Sequence, residues 1–479
     1  MADVQEIFRH YKGGEDSDDL FGAFKKLSRK QKVKEGIKQF EPKLHDVAQK
    51  RYRPDKTIMV PTGEKDERGE DQYTTDTAPV ARVPIGLQKY INNQKASFAR
   101  GSGVTLQPSY EDANVFEYVE NNWYDNKTDF HLKDIAVKQM SETQCAVIFY
   151  GIRGAQRFED FRFKFKICAP SLGDTLTPYF DEDTGDLVAF ARGYDIGDGK
   201  KKRSRMDVYV INSSRGGMVD ILRYENGKLM TVDVEMKDGE FSTADDIIQT
   251  DYTKLPVVYF EQEDPECSDT EELIREFEFG FSDFLTQMGY SADPILFGTG
   301  ESIDMPPKGS PGKFITGSGQ GADLKYVTPD NATEARELQF SMLQKFIFSL
   351  NRAVLLDLET MKELGDISGA ALERYLIDAY MEATDKQMGS WGIGVQRMVN
   401  WMLHEWRSLL GGDEDLRINA VFSKFSVRDE LDRVELAMKA SGNKPVVTHR
   451  TAITMAALED DTQKAYEEIV GQEGESDEV

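Results

Sequence analysis

The chain has 479 residues, which is long enough for two or three domains with a sizeable core. Its 85 acidic and 59 basic side chains give a formal net charge of −26, and this balance argues against a protein that grips nucleic acid through its phosphates. The three cysteines are scattered, so we expect no disulfide framework. Because the N-terminus is charged and no apolar run approaches roughly 20 residues, we also expect no secretory signal and no membrane span. We therefore expect reduced cysteines and assembly in a cytoplasm.

The N-terminal part is expected to be mostly helical, with one polar interruption. Met1 to Gln49 is predicted to be helical with a break at Gly13 to Asp19. Arg51 to Thr77 is polar and charged, and is predicted to be a mobile arm. Val83 to Met140 has a mixed pattern that favours helices.

From Gln144 to Phe260 the pattern changes to the alternation that is typical of antiparallel strands separated by Asp-Gly, Asn-Gly and Gly-Gly turns. The predicted strands are Ala146 to Tyr150, Phe161 to Phe165, Leu187 to Arg192, Met206 to Ile211, Met218 to Tyr224 and Met230 to Val234. The strongest basic run, Lys200 to Arg203 with Arg205, falls at a predicted hairpin tip. We interpret it as a solvated loop rather than a site for nucleic acid or a localisation receptor.

Two helices with apolar residues on one face flank a region rich in glycine and proline. The first covers 268–291, and Ser268 and Asp269 form its N-cap. Its apolar stripe consists of Leu273, Ile274, Phe277, Phe281, Phe284, Leu285 and Met288. The second covers 331–356, and its stripe consists of Ala335, Leu338, Met342, Phe346, Ile347, Leu350 and Val354. The aromatic residues of the first stripe are predicted to pack between helices rather than to stack on bases.

The intervening residues 292–330 exclude a long helix because of their glycines and prolines. Short strands are predicted at Ile295 to Phe297, Lys313 to Thr316 and Asp323 to Val327. The region is too polar to form its own core, so we expect neighbouring chains to cover it. The glycines at 317–321 lack the Gly-Lys-Ser/Thr ending of a P-loop, and no nucleotide site is expected there.

Residues 357–367 form a polar loop that contains Asp357, Glu359, Lys362, Glu363 and Asp366. A long helix then runs to about Leu410, and its glycines Gly389, Gly392 and Gly394 predict a kink. Its second half is the most apolar helical stretch of the chain and is predicted to lie in the core; the residues concerned are Met398, Trp401, Met402, Leu403, Trp406, Leu409 and Leu410. A strand at Leu416 to Phe422, helices at Val427 to Ala440 and Thr448 to Val470, and an acidic tail complete the chain.

This order of elements resembles the portal proteins of tailed bacteriophages. The strand Leu255 to Phe260, the segment Ile295 to Gly298 and the region Val83 to Leu106 are similar to parts of that family. The sequence Ser368-Gly369-Ala370-Ala371-Leu372 resembles its Ser-Gly-x-Ala-Leu signature. Two details differ: Glu261-Gln262 replaces a frequent asparagine pair, and a dense arginine cluster is reduced to Arg397, His404 and Arg407.

The resemblance implies an α+β portal fold with defined parts along the chain. These parts are an N-terminal wing (1–267, with its β region at 144–260), stem helix 1 (268–291), a clip (292–330), stem helix 2 (331–356), a tunnel loop (357–367), a long kinked wing helix (368–411), a wing return (412–445) and a C-terminal crown helix with an acidic tail (446–479). The five polar residues of the tunnel loop would lie near DNA. Lys308, Lys313 and Lys325 of the clip would lie near the exit, and Ser368, Gly369, Ala371 and Leu372 mark the loop-to-helix signature.

The function implied is a ring-shaped channel at one capsid vertex for packaging, retaining and ejecting double-stranded DNA. The implied partners are further copies of the chain, twelve in the virion, the terminase large subunit, head-completion or tail adaptor proteins, and the major capsid and scaffolding proteins, without a membrane. No catalytic residue, cofactor or metal is expected, since the five histidines show no metal-ligand spacing. The alternatives are a metal-dependent nuclease or ATPase of the packaging machinery, and a scaffold without a channel.

Overall fold

The structure, a computed structural model, is a mixed α/β protein and agrees with the predicted α+β class. It describes residues 8, 11–12, 17–27, 30–65, 69, 71–110, 114–152, 161–197, 199, 202–230, 233–235, 241–243, 247–249, 251–291, 295–299, 302–304, 316–318, 323–327, 333–355, 374–412, 414–423 and 438.

The described α-helices are α1 (Ser17–Lys26), α2 (Lys30–Phe40), α3 (Leu87–Arg100), α4 (Asn114–Asp125), α5 (Thr128–Glu142), α6 (Glu271–Ser291), α7 (Thr333–Leu350), α8 (Ile377–Met388) and α9 (Ser390–Leu410). The strands before α6 are β1 (Lys56–Lys65), β2 (Asp71–Ala78), β3 (Gly103–Pro108), β4 (Gln144–Ile152), β5 (Arg162–Cys168), β6 (Thr175–Phe180), β7 (Leu187–Ile196), β8 (Arg203–Asn212), β9 (Met218–Glu225), β10 (Lys228–Leu229), β11 (Asp233–Glu235), β12 (Phe241–Thr243), β13 (Ile247–Gln249) and β14 (Val257–Glu261). The later strands are β15 (Ile295–Thr299), β16 (Ser302–Asp304), β17 (Thr316–Ser318), β18 (Asp323–Val327) and β19 (Ile418–Ser423).

The predicted β region forms two main antiparallel sheets. One has the order β14-β4-β5, and the other has the order β10-β9-β8-β7-β6 with β13 beside β9. Strand β6 was not predicted. The predicted strand Met230 to Val234 is described only in part: Met230 lies just after β10, and Asp233 and Val234 lie in β11. The predicted strand at Leu416 to Phe422 is confirmed as β19, which pairs with β3.

The largest hydrophobic core forms around α9, as its apolar sequence predicts. Trp401 stacks on Phe149 of β4 with ring centroids 4.4 Å apart, and Trp406 packs edge-on against Phe163 of β5. Met398, Met402 and Leu403 are also buried. The prediction is wrong for Leu409 and Leu410, which are exposed at the end of the helix.

The predicted mobile arm at Arg51 to Thr77 is wrong, because β1 and β2 pair there as an antiparallel hairpin. Most of the hairpin is exposed on both faces, including Met59 and Tyr73. A strand that is exposed on both faces has no need for alternating apolar residues, so the pattern that identifies half-buried strands does not apply to it.

The second apolar helix, α7, is shorter than the predicted span 331–356. It ends at Leu350, and Arg352 then takes a left-handed backbone conformation with φ of 49°. Val354 therefore lies beyond the helix, although it continues the apolar spacing of the sequence. All three cysteines are free and buried.

Candidate interface and channel-lining elements

Helices α6 and α7 pack on each other through one aromatic residue of α7. The ring of Phe340 makes edge-on contacts with Phe277, Phe281 and Phe284 of α6, at centroid distances of 5.6, 6.0 and 6.2 Å. The predicted aromatic stripe of α6 is thus used in packing between helices. Phe340 was not among the residues predicted for the stripe of α7.

The predicted stripe of α7 instead lies largely on its outer side. Leu338, Met342, Phe346 and Leu350 are 62%, 49%, 53% and 63% exposed. A spacing of four residues places them in one line along the helix. A continuous line of large apolar side chains on a surface is typical of an interaction face.

Helix α6 is attached to the extended segment 79–86 by a ladder of hydrogen bonds from backbone to side chain. The three bonds are from the Ile85 N–H to Glu278 Oε1 (2.6 Å), from the Val83 N–H to Ser282 Oγ (3.0 Å) and from the Ala81 N–H to Thr286 Oγ1 (3.0 Å). Two residues of an extended chain advance by about 6.6 Å and four residues of a helix by about 6 Å, so the two repeats match. The polar stripe Glu278, Ser282 and Thr286 is buried. This ladder fixes both the height and the rotation of α6.

The top of the ladder contains a buried ion pair. His45 Nδ1 lies 2.7 Å from Glu278 Oε1, and its Nε2 lies 2.9 Å from the carbonyl oxygen of Gln39. Both partners accept hydrogen bonds, so the geometry favours the imidazolium, which donates from both nitrogens. Burial alone would lower the pKa of His45, but the hydrogen bond and charge of Glu278 outweigh it, and the pKa lies above its ordinary value of 6.5.

The described residues on either side of the predicted tunnel loop are held close to each other. The Gln94 side chain donates to the carbonyl of Val354 (2.7 Å) and accepts from the Val354 N–H (2.8 Å). The Tyr375 hydroxyl lies 3.5 Å from the carbonyl oxygen of Leu355. The segment that leaves α7 and the segment that enters α8 therefore meet beside α3.

An ion-pair network reinforces this junction. Glu266 lies 2.7 Å from Lys95 and 2.7 Å from Lys386, and Glu382 bridges to Lys95 and to Arg352. Burial raises the pKa of Glu266, but the two lysines outweigh this effect and lower it to about 2. The network joins α3, the segment before α6, the turn after α7 and helix α8.

The sequence model of the family described as "Phage portal protein, SPP1 Gp6-like" matches residues 25–478. This match spans nearly the whole chain. The chain belongs to the phage portal protein family. No individual curated protein matches it significantly.

A portal protein forms the ring-shaped channel at one capsid vertex through which double-stranded DNA is packaged and ejected, and on which the terminase and tail adaptors dock. The family is structural rather than catalytic, so the nuclease or ATPase alternative is not supported. Within the part of the chain that the structure describes, no helix is both long and apolar enough to cross a membrane.

The three glycines predicted to kink the long portal helix have different surroundings. Gly389 separates α8 from α9 with an extended backbone, φ −87° and ψ −160°. Gly392 lies in the first turn of α9, where a Cβ would overlap the carbonyl group of Gln387. Gly394 lies against the ring of Phe260 on β14. Only Gly389 lies at the break itself.

Most of the other predicted site residues lie outside the described residues. These are the tunnel-loop residues Asp357, Glu359, Lys362, Glu363 and Asp366, the signature residues Ser368, Gly369, Ala371 and Leu372, and the clip residues Lys308 and Lys313. Lys325 lies in β18, opposite Phe297 of β15. The predicted helices at 427–440 and 448–470 also fall outside, apart from Met438.

The basic run after Lys200 lies at the tip of the β7–β8 hairpin, and its described members form ion pairs. Lys202 pairs with Asp195 at 2.8 Å, and Arg203 and Arg205 pair with Glu225 at 3.0 and 2.8 Å. The hydrogen bond from Arg205 lowers the pKa of the Glu225 carboxyl group. Two carboxylates therefore neutralise most, but not all, of the charge of these three cations.

Sequence reasoning missed the polar stripe of α6 and the network around Glu266. Glu278, Ser282 and Thr286 recur every four residues on a helix that is otherwise apolar on its inner side. That spacing was a usable signal for a buried polar contact. The Glu266 network had no comparable signal, because its members come from segments far apart in the chain.

Proposed function

We propose that copies of this portal protein assemble into a closed ring in which the outer line of α7 packs against the neighbouring subunit. The observation that carries the proposal is the exposure of Leu338, Met342, Phe346 and Leu350 in one line. About half of each side chain is left to bury, so each would contribute on the order of 1 kcal/mol per interface. A cyclic ring repeats the same contact between every pair of neighbours.

The residues 357–367 form the tunnel loop of this ring in our proposal, with Asp357, Glu359, Lys362, Glu363 and Asp366 close to DNA. The support is the junction between α7 and α8, because hydrogen bonds with Gln94 hold Val354 beside α3, and the Tyr375 hydroxyl lies 3.5 Å from the carbonyl oxygen of Leu355. Because both ends of the loop are held at the same place, the loop can extend from that place into the channel. The mixed charges of the loop and the overall charge of −26 favour contact without tight binding.

The region 292–330 is proposed to be the clip, in which Lys308, Lys313 and Lys325 face the terminase first and the tail adaptors later. The pairing of β15 with β18 supports a compact two-stranded base, since these strands follow α6 and precede α7. We further propose twelve copies in the virion, contacts with the major capsid and scaffolding proteins, and assembly in the host cytoplasm before incorporation into the capsid.

The ring proposal is tested by placing a charge on the outer line of α7. Met342→Glu and Phe346→Glu should give subunits that fold but do not close into rings, because an interface cannot bury an unpaired carboxylate. Gln339→Glu is the matched control, since Gln339 is exposed on the same helix and outside the line. Mass photometry would measure the copy number, and negative-stain images would show the central hole.

Normal rings from both charged variants would overturn the assignment of this interface. Circular dichroism of each variant separates failure to assemble from failure to fold. A wild-type protein that remains a monomer at all concentrations would favour the alternative of a scaffold without a channel.

A further inference from the structure

A cavity of about 490 Å³ lies beside the second half of α9. Its wall is formed by the second half of α9, the start of β19 with the segment that leads into it, and Lys254, which lies three residues before β14. Its lining includes Lys254, Asn400, His404, Arg407, Glu414 and Arg417.

The cavity has a positive charge in a protein that is strongly negative. Lys254, Arg407 and Arg417 line it, and Glu414 is the acidic residue among its lining side chains. The whole chain carries a net charge of −26, so this cluster is a local exception. A concave site with charges of one sign concentrates the field and attracts the opposite charge.

The positive charges of the cavity affect the pKa of the neighbouring His404. Burial lowers the pKa of His404, and the positive charges of Lys254 and Arg407 lower it further. Its Nε2 lies 2.6 Å from the Thr253 hydroxyl. The imidazole is therefore neutral at pH 7, and it does not add to the cationic groups.

Arg407 is held in place but keeps unused donors. One of its terminal nitrogens donates to the carbonyl oxygen of Leu416 at 2.7 Å, while its Nε is buried without a hydrogen-bond partner. The terminal nitrogens of this fixed guanidinium have further N–H groups that can donate to an anion.

Arg417, Asn400 and Lys254 also have donor groups that can bind a ligand in the cavity. The backbone of Arg417 is bonded on both sides to Ser109, through the Ser109 N–H (2.8 Å) and the Ser109 hydroxyl (3.1 Å). The carbonyl oxygen of the Asn400 side chain accepts from Gln396 at 2.9 Å, which leaves its NH₂ group as a donor at the cavity. Among the described residues, the side chains of Lys254 and Arg417 make no ion pair.

We propose that this cavity binds a phosphate group. Arginine, lysine and amide donors that converge from three elements are the groups that recognise a tetrahedral oxyanion. A phosphate is offered by the backbone of DNA, which a portal handles, and by free phosphate in solution. Both sources share the same recognition chemistry.

The test uses the full-length purified portal and inorganic phosphate as the first probe. Thermal unfolding is followed while phosphate replaces chloride at constant ionic strength, since a ligand that binds only the folded state raises the transition temperature in a saturable way. The variant is Lys254→Gln with Arg417→Gln, because both side chains are exposed and their loss leaves the fold intact. Arg407 is kept, since it supports the Leu416 carbonyl.

The control is Lys164→Gln with Lys228→Gln, which removes the same charge from exposed positions on β5 and β10. Phosphate should bind the control as it binds the wild type, and should bind the cavity variant at least tenfold more weakly. No saturable effect in the wild type, or an equal loss in both double variants, would overturn the proposal.

A labelled 20-base-pair duplex then identifies the source of the phosphate. With DNA as the source, the cavity variant binds the duplex more weakly, and the slope of log affinity against log salt falls by about 1 for each lost phosphate contact. Unchanged DNA binding together with lost binding of inorganic phosphate assigns the site to a free anion. A peptide of residues 471–479 that binds the cavity when phosphate does not would overturn the proposal in favour of the chain's own acidic tail.

Discussion

The close approach of α9 to β14 at Gly394 predicts that a single methyl group there destabilises the portal subunit. In Gly394→Ala the new Cβ would lie 2.5 Å from Cδ1 and 2.9 Å from Cζ of Phe260, and closer still to Cε1. Non-bonded carbon atoms make favourable contacts at about 3.5 Å or more, so the ring or the helix has to move by about 1 Å. Phe260 is 1% exposed and belongs to the main core, which leaves little room for this movement.

The magnitude follows from two opposing terms. Overpacking a core typically costs about 1–3 kcal/mol. Replacing glycine by alanine inside a helix gains about 0.5–1 kcal/mol. Gly22→Ala is the matched control, because Gly22 lies inside α1 and a Cβ there meets nothing within 4 Å. The difference between the two variants therefore isolates the steric cost of about 1–3 kcal/mol.

The assay is chemical unfolding of both variants, followed by tryptophan fluorescence. Trp401 and Trp406 belong to the same core as Phe260, so their emission reports on this region. Gly22→Ala should unfold at the wild-type denaturant concentration or above it, and Gly394→Ala should unfold below it. Equal midpoints for the two variants would refute the reasoning.

Two further predictions concern the ladder on α6. Because the pKa of His45 is raised above 6.5 in the folded state, its pairing with Glu278 stabilises the protein fully below pH 6.5, and this contribution is lost as the pH rises through the raised value. The free energy of unfolding, measured from pH 6 to pH 9, should show this loss in the wild type. In His45→Gln the free energy of unfolding should depend less on pH, and a pH dependence equal to that of the wild type would contradict the assignment. Thr286→Val keeps the shape of the side chain but leaves the Ala81 N–H without its acceptor, so it should cost about 1–3 kcal/mol in chemical unfolding. A variant as stable as the wild type would show that water replaces the hydroxyl group.

The sequence predicted those elements whose burial leaves a periodic pattern. The helices α6 and α9 and most strands between 144 and 260 belong to this group, because each has one face in a core. The β1–β2 hairpin was missed since neither face is buried, and Arg352 ended α7 early without a glycine or proline to mark it. The four-residue spacing of Glu278, Ser282 and Thr286 indicates a buried polar contact on α6, but it does not identify the segment 79–86 as the partner. The Glu266 network depends on which distant segments meet, and local periodicity contains no information about such contacts.

The glycines illustrate the same limit at single residues. The sequence predicted one role for Gly389, Gly392 and Gly394, a kink in a long helix, but only Gly389 lies at a break. A break in the backbone, contact with a preceding turn and contact with a strand are three different reasons for lacking a side chain. They can be distinguished only when the neighbouring atoms are known.

The even spacing of the three acceptors on α6 restricts how this helix can slide. A shift by one residue would replace them with Phe279, Asp283 and Gln287. Because one residue turns a helix by about 100°, these side chains would meet the extended segment 79–86 only if the helix also rotated by that angle. A shift by a full step of four residues would instead bring Ser282 and Thr286 opposite two of the same N–H groups. Axial movement of the helix would therefore favour discrete steps of about 6 Å over continuous sliding. After one such step, two of the three hydrogen bonds of the ladder would form again.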